Sequence, residues 1–175
     1  MTRAVFLDRD GVINRATIRD GKPYPPQTVK DTEILDGVAE GMEMLKRAGF
    51  ALAVVTNQPD VARGKQSREA VEAINNYLCS QLPLDHIEVC YHDDDENCSC
   101  RKPKPGLITL TSKALKVDPL KGFLVGDRWK DIAAGRAAGC RTIWIDAGYN
   151  ETKPTSFDFR TDSLLHAAEW IIRQA

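Results

Sequence analysis

The sequence predicts an α/β fold with a Rossmann-like parallel sheet flanked by helices, and three observations support this prediction. Short apolar runs rich in Val and Ile alternate with segments of helical periodicity along the chain. The apolar runs contain almost no polar residues, which is typical of parallel strands that helices cover on both faces. The order strand, helix, strand recurs, and such repeats form parallel sheets through right-handed crossovers.

Five strands are predicted where apolar runs are bounded by turn residues, at 4–7, 51–55, 87–91, 123–125 and 142–145. Five helices are predicted at 38–48, 68–82, 107–115, 131–138 and 163–173. Gly49 is a helix stop after the first of these, and Ser67 is an N-cap for the second. The proline-rich segment 21–27 is expected to be a loop, neither helix nor strand, that overhangs a site.

Length and composition favour one globular domain. The chain has 175 residues, close to the ~150 expected of a single domain, so residues 1–175 are expected to form one. Its 24 basic and 25 acidic residues nearly cancel, so no global attraction to nucleic acid or to an anionic membrane is expected. No apolar stretch is long enough to span a bilayer or to serve as a secretory signal core. A cytoplasmic monomer that acts on a small molecule is therefore expected.

Polar residues follow the predicted strands, where open α/β sheets bind ligands. Asp8 and Asp10 follow the first strand, and two carboxylates so close together suit a hard cation such as Mg²⁺. Solvated loop acids are the alternative interpretation. The second strand ends in a hydroxyl and two amides that can bind phosphate oxygens, namely Thr56, Asn57 and Gln58.

The third and fourth strands are also followed by charged residues. Arg101 and Lys102 precede a proline that restricts the chain, although a basic run is often a solvated surface. Asp127 and Arg128 follow the fourth strand, where Asp127 or Asp131 could alternatively cap a helix. Acids, a hydroxyl and a lysine that meet in one crevice would suit phosphoryl transfer through a carboxylate nucleophile. Asp131, Lys104 and Trp129 are assigned no definite role.

These segments resemble the four motifs of the haloacid dehalogenase superfamily of phosphatases over almost the whole chain. The resemblance is carried by Asp8-Arg9-Asp10-Gly11-Val12, the Thr56 turn, Lys102 and Gly126-Asp127.

The resemblance also implies a role for each residue. Asp8 would attack phosphorus, while Asp10 would protonate the leaving oxygen and later activate water. Mg²⁺ would be held by the Asp8 carboxylate, the Asp10 main-chain carbonyl and Asp127. Thr56 and Lys102 would bind the transferring phosphoryl group.

A second metal is predicted from the cysteines. Three of the five cysteines fall within eleven residues and, with one histidine, supply four soft or borderline ligands: Cys90, His92, Cys98 and Cys100. Four such ligands fit tetrahedral Zn²⁺ with no open position, so the metal would be structural. It would order the polar loop that delivers Arg101 and Lys102. Buried cysteines with a chance histidine are the alternative.

The Cys-X-His and Cys-X-Cys pairs before Arg-Lys-Pro resemble one branch of the superfamily, the bacterial D,D-heptose 1,7-bisphosphate phosphatases and related histidinol-phosphate phosphatase domains. In that branch a zinc loop replaces a large cap domain, for which this chain has no room. Asn57, Gln58, Arg101 and Arg128 match its substrate-contacting segments. Pro59-Asp60 stands where Ser-Gly is common, and the zinc loop is short.

The resemblance implies a Mg²⁺-dependent phosphomonoester hydrolase for a phosphorylated sugar, in the first place D-glycero-D-manno-heptose 1,7-bisphosphate, on the route to lipopolysaccharide heptose. Histidinol-phosphate hydrolysis is the enzyme alternative. A phospho-accepting receiver module is an alternative of another class, but its acceptor aspartate normally lies apart from its acid pair. Repair of nucleic-acid phosphate ends is disfavoured by the balanced charge.

Overall fold

A computed structural model describes residues 3–174 and shows a six-stranded parallel sheet beside a small antiparallel hairpin. The strands are β1 Arg3–Leu7, β2 Thr17–Arg19, β3 Lys22–Tyr24, β4 Phe50–Asn57, β5 His86–Cys90, β6 Phe123–Gly126, β7 Arg141–Ile145 and β8 Phe159–Thr161. The helices are α1 Val38–Arg47, α2 Arg68–Gln81, α3 Gly106–Leu115, α4 Trp129–Ala138 and α5 Leu164–Arg173. The main sheet has the order β5-β4-β1-β6-β7-β8, and β2 pairs with β3. The predicted α/β class is therefore confirmed.

Both faces of the sheet are covered because the central strands are apolar on both sides. In β1, Val5 and Leu7 pack into a core with side chains from α1, α2 and α5. Ala4 and Phe6 point to the opposite face and pack with residues of α3 and α4. This alternation follows from the two-residue period of a strand, so an uninterrupted apolar run can be buried on both faces.

The helices begin and end close to the predicted positions. Ser67 caps α2 through its hydroxyl, which accepts a hydrogen bond from the backbone N–H of Ala70 at 3.1 Å. Gly49 follows α1 with φ +83°, a left-handed conformation that glycine adopts without strain. These local signals position the loops that follow β1, β4 and β6.

The prediction of a loop at 21–27 is wrong for its first half. Lys22–Tyr24 forms β3, which pairs with β2 through an Asp20-Gly21 turn. A proline inside a three-residue strand is tolerated because this hairpin has only two strands and therefore leaves one edge of each unpaired. The edge strand β8 is an element that the sequence analysis did not include.

The described residues include no large cap domain over the carboxyl edge of the sheet, as the sequence predicted. The hairpin β2–β3 is the element that overhangs this edge. No helix among residues 3–174 is both long enough and apolar enough to span a bilayer.

Candidate active site

Three neighbouring strands bring polar residues to the same edge of the sheet. Thr56 lies near the end of β4, Asp8 follows β1 and Asp127 follows β6. Because β1 pairs with both β4 and β6, these three residues become neighbours although they are far apart in sequence. The backbone N–H of Asp8 extends the pairing by donating to the Val125 carbonyl at 2.9 Å.

A cavity of about 220 Å³ opens at this edge. Six of the residues assigned a catalytic or substrate-binding role from the sequence line it: Asp8, Asp10, Thr56, Asn57, Lys102 and Arg128. The hairpin contributes Lys22 and Tyr24 to the opposite wall. The cavity therefore lies between the sheet edge and the hairpin.

Lys102 is the central cation of the site. Its buried Nζ lies 2.7 Å from Asp8 Oδ1 and 2.6 Å from Asp131 Oδ1, and it donates a third hydrogen bond to the Val55 carbonyl at 2.7 Å. Burial alone would lower the pKa of Lys102, but the carboxylates of Asp131 and Asp8 raise it above its usual value. The ammonium group therefore stays charged and fixed beside Asp8.

Three buried acids surround that lysine. Ligand oxygens of Asp8, Asp127 and Asp131 all lie within 4.8 Å of one another. Burial, followed by the nearby charges of Asp8 and Asp131, raises the pKa of Asp127 well above its usual value. Burial and the charge of Asp131, opposed by Lys102, raise the pKa of Asp8 to about 6.

The acid cluster fits a divalent cation. Both carboxylate oxygens of Asp127 are buried, and neither has a hydrogen-bond partner of good geometry among residues 3–174; the nearby Tyr149 hydroxyl opposes the rise in the pKa of Asp127 without preventing it. Unpaired buried carboxylate oxygens are costly, and one lysine does not neutralise three acids. Hard oxygen ligands in this number suit Mg²⁺, which keeps its remaining positions for water or phosphate.

Asp131 is the site residue that sequence reasoning left without a role. It lies in the first turn of α4, where its Oδ2 accepts a hydrogen bond from the Arg128 backbone N–H at 3.0 Å. Its other oxygen faces Lys102. The capping role was weighed in the sequence, but helix geometry also directs this side chain back toward the strand end. The sequence feature that could have identified Asp131 as a site residue is its position, four residues after Asp127.

The carboxylate of Asp10 is held by four donors. Arg9 donates from Nε and Nη2, both at 3.1 Å, Asn14 from Nδ2 at 2.9 Å, and Gln58 from Nε2 at 2.8 Å. Gln58 also donates to the hydroxyl of Thr56 at 2.9 Å. Gln58 is itself buried and does not line the cavity, so it connects Asp10 with Thr56 from behind.

Other predicted substrate contacts have partners within the protein. The amide of Asn57 donates to the Lys102 carbonyl at 3.0 Å and accepts from the Lys102 N–H at 3.1 Å, so it fixes that segment to β4. Arg101 turns away from the cavity and pairs with Asp94 at 2.8 Å. Arg128 lines the cavity and forms two hydrogen bonds to Glu151, at 2.8 and 2.5 Å.

A second cluster follows β5. Ligand atoms of Cys90, His92, Cys98 and Cys100 all lie within 4.8 Å of one another, and the last of these residues directly precedes Arg101 in the chain. Cys100 Sγ lies 3.1 Å from Cys90 Sγ and 3.4 Å from His92 Nδ1. Burial opposes ionisation of Cys98, but the Arg101 N–H and the neighbouring thiols lower its pKa to about 7. Four soft or borderline ligands at these distances could hold a metal ion.

The fold and the site together define a class of enzyme. A parallel sheet with a carboxylate nucleophile candidate, further acids and a lysine at its carboxyl edge is the arrangement of a phosphoryl-transfer hydrolase. The HAD-hydrolase-like family model matches residues 99–167.

Named relatives match most of the chain. This chain is 34% identical to D-glycero-beta-D-manno-heptose-1,7-bisphosphate 7-phosphatase of Pasteurella multocida (strain Pm70), over 85% of this chain and 84% of that protein. The Escherichia coli (strain K12) protein of the same name is also 34% identical, over 97% of this chain and 87% of that protein. A crystal structure of D,D-heptose 1,7-bisphosphate phosphatase from B. bronchiseptica, complexed with magnesium and phosphate, covers 99% of both chains with 26% identity and a TM-score of 0.80.

The chain therefore belongs to the haloacid dehalogenase superfamily of phosphatases, in the family that includes these heptose bisphosphate enzymes. The resemblance stated from the sequence motifs is confirmed. The chain is an enzyme that hydrolyses phosphomonoesters.

Proposed function

We propose that the chain removes the 7-phosphate of D-glycero-D-manno-heptose 1,7-bisphosphate, with Asp8 as the nucleophile that carries the phosphoryl group. One observation carries this proposal: the Asp8 carboxylate lines the cavity at 2.7 Å from the Lys102 ammonium, with Asp127 and Asp131 beside it. The substrate is proposed because relatives that match most of both chains have this name. Such a role would belong to lipopolysaccharide heptose synthesis in the cytoplasm.

The chemistry follows in two steps. An Asp8 oxygen attacks phosphorus as the bond from phosphorus to the sugar oxygen breaks, and Asp10 donates a proton to that oxygen. Water then attacks the phosphorus of the phosphorylated Asp8 while Asp10 takes its proton, which releases phosphate and restores Asp8. Thr56 and Lys102 hold the phosphoryl oxygens, and Lys102 reduces the repulsion between Asp8 and an incoming dianion.

Mg²⁺ would be held by the Asp8 and Asp127 carboxylates and the Asp10 main-chain carbonyl, with Asp131 within reach of the same position. When bound, it neutralises negative charge on the phosphoryl group and orients it. The contribution of the chain is to bury and fix these oxygens around the nucleophile.

Cys90, His92, Cys98 and Cys100 are proposed to hold a structural Zn²⁺. Cys98 accepts a hydrogen bond from the Arg101 N–H at 3.3 Å, so the cluster is joined directly to the segment that carries Lys102. A closed four-ligand site would fix this segment, which has few apolar residues of its own. Arg101, Arg128, Asn57 and Gln58 are proposed to shape the sugar end of the site through the contacts described above.

Initial rates of phosphate release test the activity. We expect the heptose bisphosphate anomers to be preferred over histidinol phosphate and a nucleotide, and the rate to depend on added Mg²⁺. Asp8→Asn should lower the rate at least about a thousandfold. Asp36→Asn, at an exposed acid outside the cavity, is the matched control and should keep the rate. Preference for histidinol phosphate over every sugar would overturn the substrate, and an active Asp8→Asn variant would overturn the nucleophile.

A further inference from the structure

The hairpin β2–β3 is anchored beside the cavity by contacts at its tip. Its turn residues Asp20 and Gly21 both have positive φ, +51° and +73°, as a two-residue hairpin loop requires. The N–H of Asn150 donates to the Gly21 carbonyl at 2.9 Å, and a Cβ on Gly21 would lie only 2.8 Å from the Asn150 side chain. The tip of the hairpin is therefore packed against the loop that follows β7.

This hairpin places two cations directly opposite each other. Arg19 on β2 is the cross-strand partner of Lys22 on β3, so both side chains lie on the same face. Like charges in directly opposed positions are destabilising. Within the described part of the chain neither residue forms an ion pair with a carboxylate. The hairpin therefore presents positive charge that its own fold does not neutralise.

The two cations differ in where they lie. The Arg19 guanidinium lies over the ring of Tyr24, 5.4 Å from its centroid, and Arg19 does not line the cavity. Lys22 is exposed and lines the same cavity as Asp8 and Lys102. Lys22 is thus the hairpin cation that can reach a ligand.

The other cations that line the cavity all lie against carboxylates. Lys102 is paired with Asp8 and Asp131, and the remaining pairs are Arg63 with Asp93, Arg128 with Glu151 and Lys130 with Asp94. Among residues 3–174, Lys22 is therefore the cavity-lining cation whose charge no carboxylate offsets.

We infer that Lys22 binds the second phosphate of a sugar bisphosphate, the phosphate that is not hydrolysed. This inference rests on the proposed function, in which Lys102 and Asp8 engage the phosphate that is transferred. The other end of the substrate would then lie toward the hairpin wall, where Lys22 offers a charged donor to phosphate oxygens. Lys22 would thus distinguish a bisphosphate from the corresponding monophosphate.

Equilibrium binding in an Asp8→Asn background tests this inference, because neither ligand is turned over there. Isothermal titration calorimetry with Mg²⁺ present compares heptose 1,7-bisphosphate with heptose 7-phosphate, which differ only in the second phosphate. We expect Lys22→Gln to raise the Kd of the bisphosphate about tenfold and that of the monophosphate less than about twofold. Lys22→Arg, which keeps the charge, should retain most of the bisphosphate affinity.

Arg19→Gln is the matched control, because it removes the same charge from the same hairpin at a residue that does not itself line the cavity. It should change either Kd less than about twofold. Equal losses for both ligands on Lys22→Gln, an equal loss on Arg19→Gln, or a bisphosphate that binds no more tightly than the monophosphate would each overturn the inference. Turnover by the wild-type enzyme tests the proposed function separately, since these affinities do not depend on it.

Discussion

At the scale of single residues, the site depends on one buried lysine shared between two carboxylates. Lys102 lies within 2.7 Å of both Asp8 and Asp131, yet only Asp8 is proposed to react. Asp131 keeps the ammonium charged and holds it toward the cavity, while its other oxygen caps α4 through the Arg128 N–H. The two roles can be separated, because a neutral Asn can cap a helix but carries no charge.

We predict that Asp131→Asn lowers kcat about tenfold to a hundredfold and raises the Mg²⁺ concentration for half-maximal rate. The reason is that the substitution removes the negative charge of Asp131, which faces both Lys102 and the acids proposed to hold Mg²⁺. Phosphate release measured across a Mg²⁺ titration checks this. Asp118→Asn is a matched control, since Asp118 also caps a short helical turn, at 3.0 Å from the Leu120 N–H, but does not line the cavity. An unchanged Mg²⁺ dependence for Asp131→Asn would contradict the assignment.

Gly11 supports the same acids through its lack of a side chain. Its φ is +90°, and a Cβ there would collide with the Asp127 carboxylate. Gly11→Ala should therefore lower the rate at least about a hundredfold by displacing Asp127. Gly64→Ala is the comparison, because Gly64 has φ +66° with nothing within 4 Å of its Cβ position. Both variants should lose about 1–2 kcal/mol of stability through backbone strain, which thermal unfolding measures. Wild-type turnover by Gly11→Ala would refute the steric argument.

At the scale of elements, the segment 90–106 connects the cysteine cluster to Lys102, the proposed phosphoryl-binding lysine. We predict that Cys98→Ser lowers bound zinc from about one equivalent to well below it, because one of four ligands is lost. The loop should then be cut faster by protease, and the rate should fall because Lys102 is less firmly held. Elemental analysis and limited proteolysis measure the first two effects, and phosphate release measures the third. Cys79→Ser, at an exposed cysteine on α2, should leave all three unchanged. If the wild-type protein, purified without added metal, contained no zinc, the prediction would be contradicted.

The long elements were predictable because each must bury an apolar face. All five predicted strands and all five predicted helices are present, with ends that shift by only a few residues. The hairpin β2–β3 and the edge strand β8 were missed because each strand has three residues that are exposed or half-buried, without an apolar pattern. The Asp20-Gly21 pair was a usable hairpin signal, but Pro23 favoured a loop.

The site was predictable where residues directly follow a strand, since parallel strands end at one edge. Asp8 and Asp127 are of this kind, and Thr56 is the second-last residue of β4. Asp131 and Glu151 instead reach the cavity from a helix turn and a distant loop, so their positions depend on tertiary packing. The orientation of Arg101 likewise depends on tertiary packing, because its partner Asp94 lies in the loop between Cys90 and Cys98.

At the scale of the whole molecule, a net charge of −1 conceals a local excess of buried acids. Asp8 and Asp127 have pKa values raised above those of an unfolded chain, mainly by burial. The folded protein without Mg²⁺ therefore holds these protons more tightly than the unfolded chain does. Their contribution to stability is fully present below the unfolded pKa of about 4 and is lost as pH rises through the folded pKa of each acid, about 6 for Asp8 and well above its usual value for Asp127.

Mg²⁺ should reverse this loss, because it binds the ionised acids that the metal-free fold disfavours. At pH 8 the metal competes with few protons at Asp8, whereas at pH 5 Asp8 holds a proton that it must displace, and the raised pKa of Asp127 acts in the same direction. We predict that saturating Mg²⁺ raises the Tm by about 5–8 °C at pH 8 and by less than half of that at pH 5. Differential scanning calorimetry measures both shifts in Tm. No chelator is added, because a chelator would also remove zinc. In the Asp127→Asn variant, the Mg²⁺-induced rises in Tm at pH 8 and pH 5 should differ less, because one of the two titrating ligands is gone. Equal shifts in the wild-type protein at both pH values would mean that the buried acids do not bind the ion.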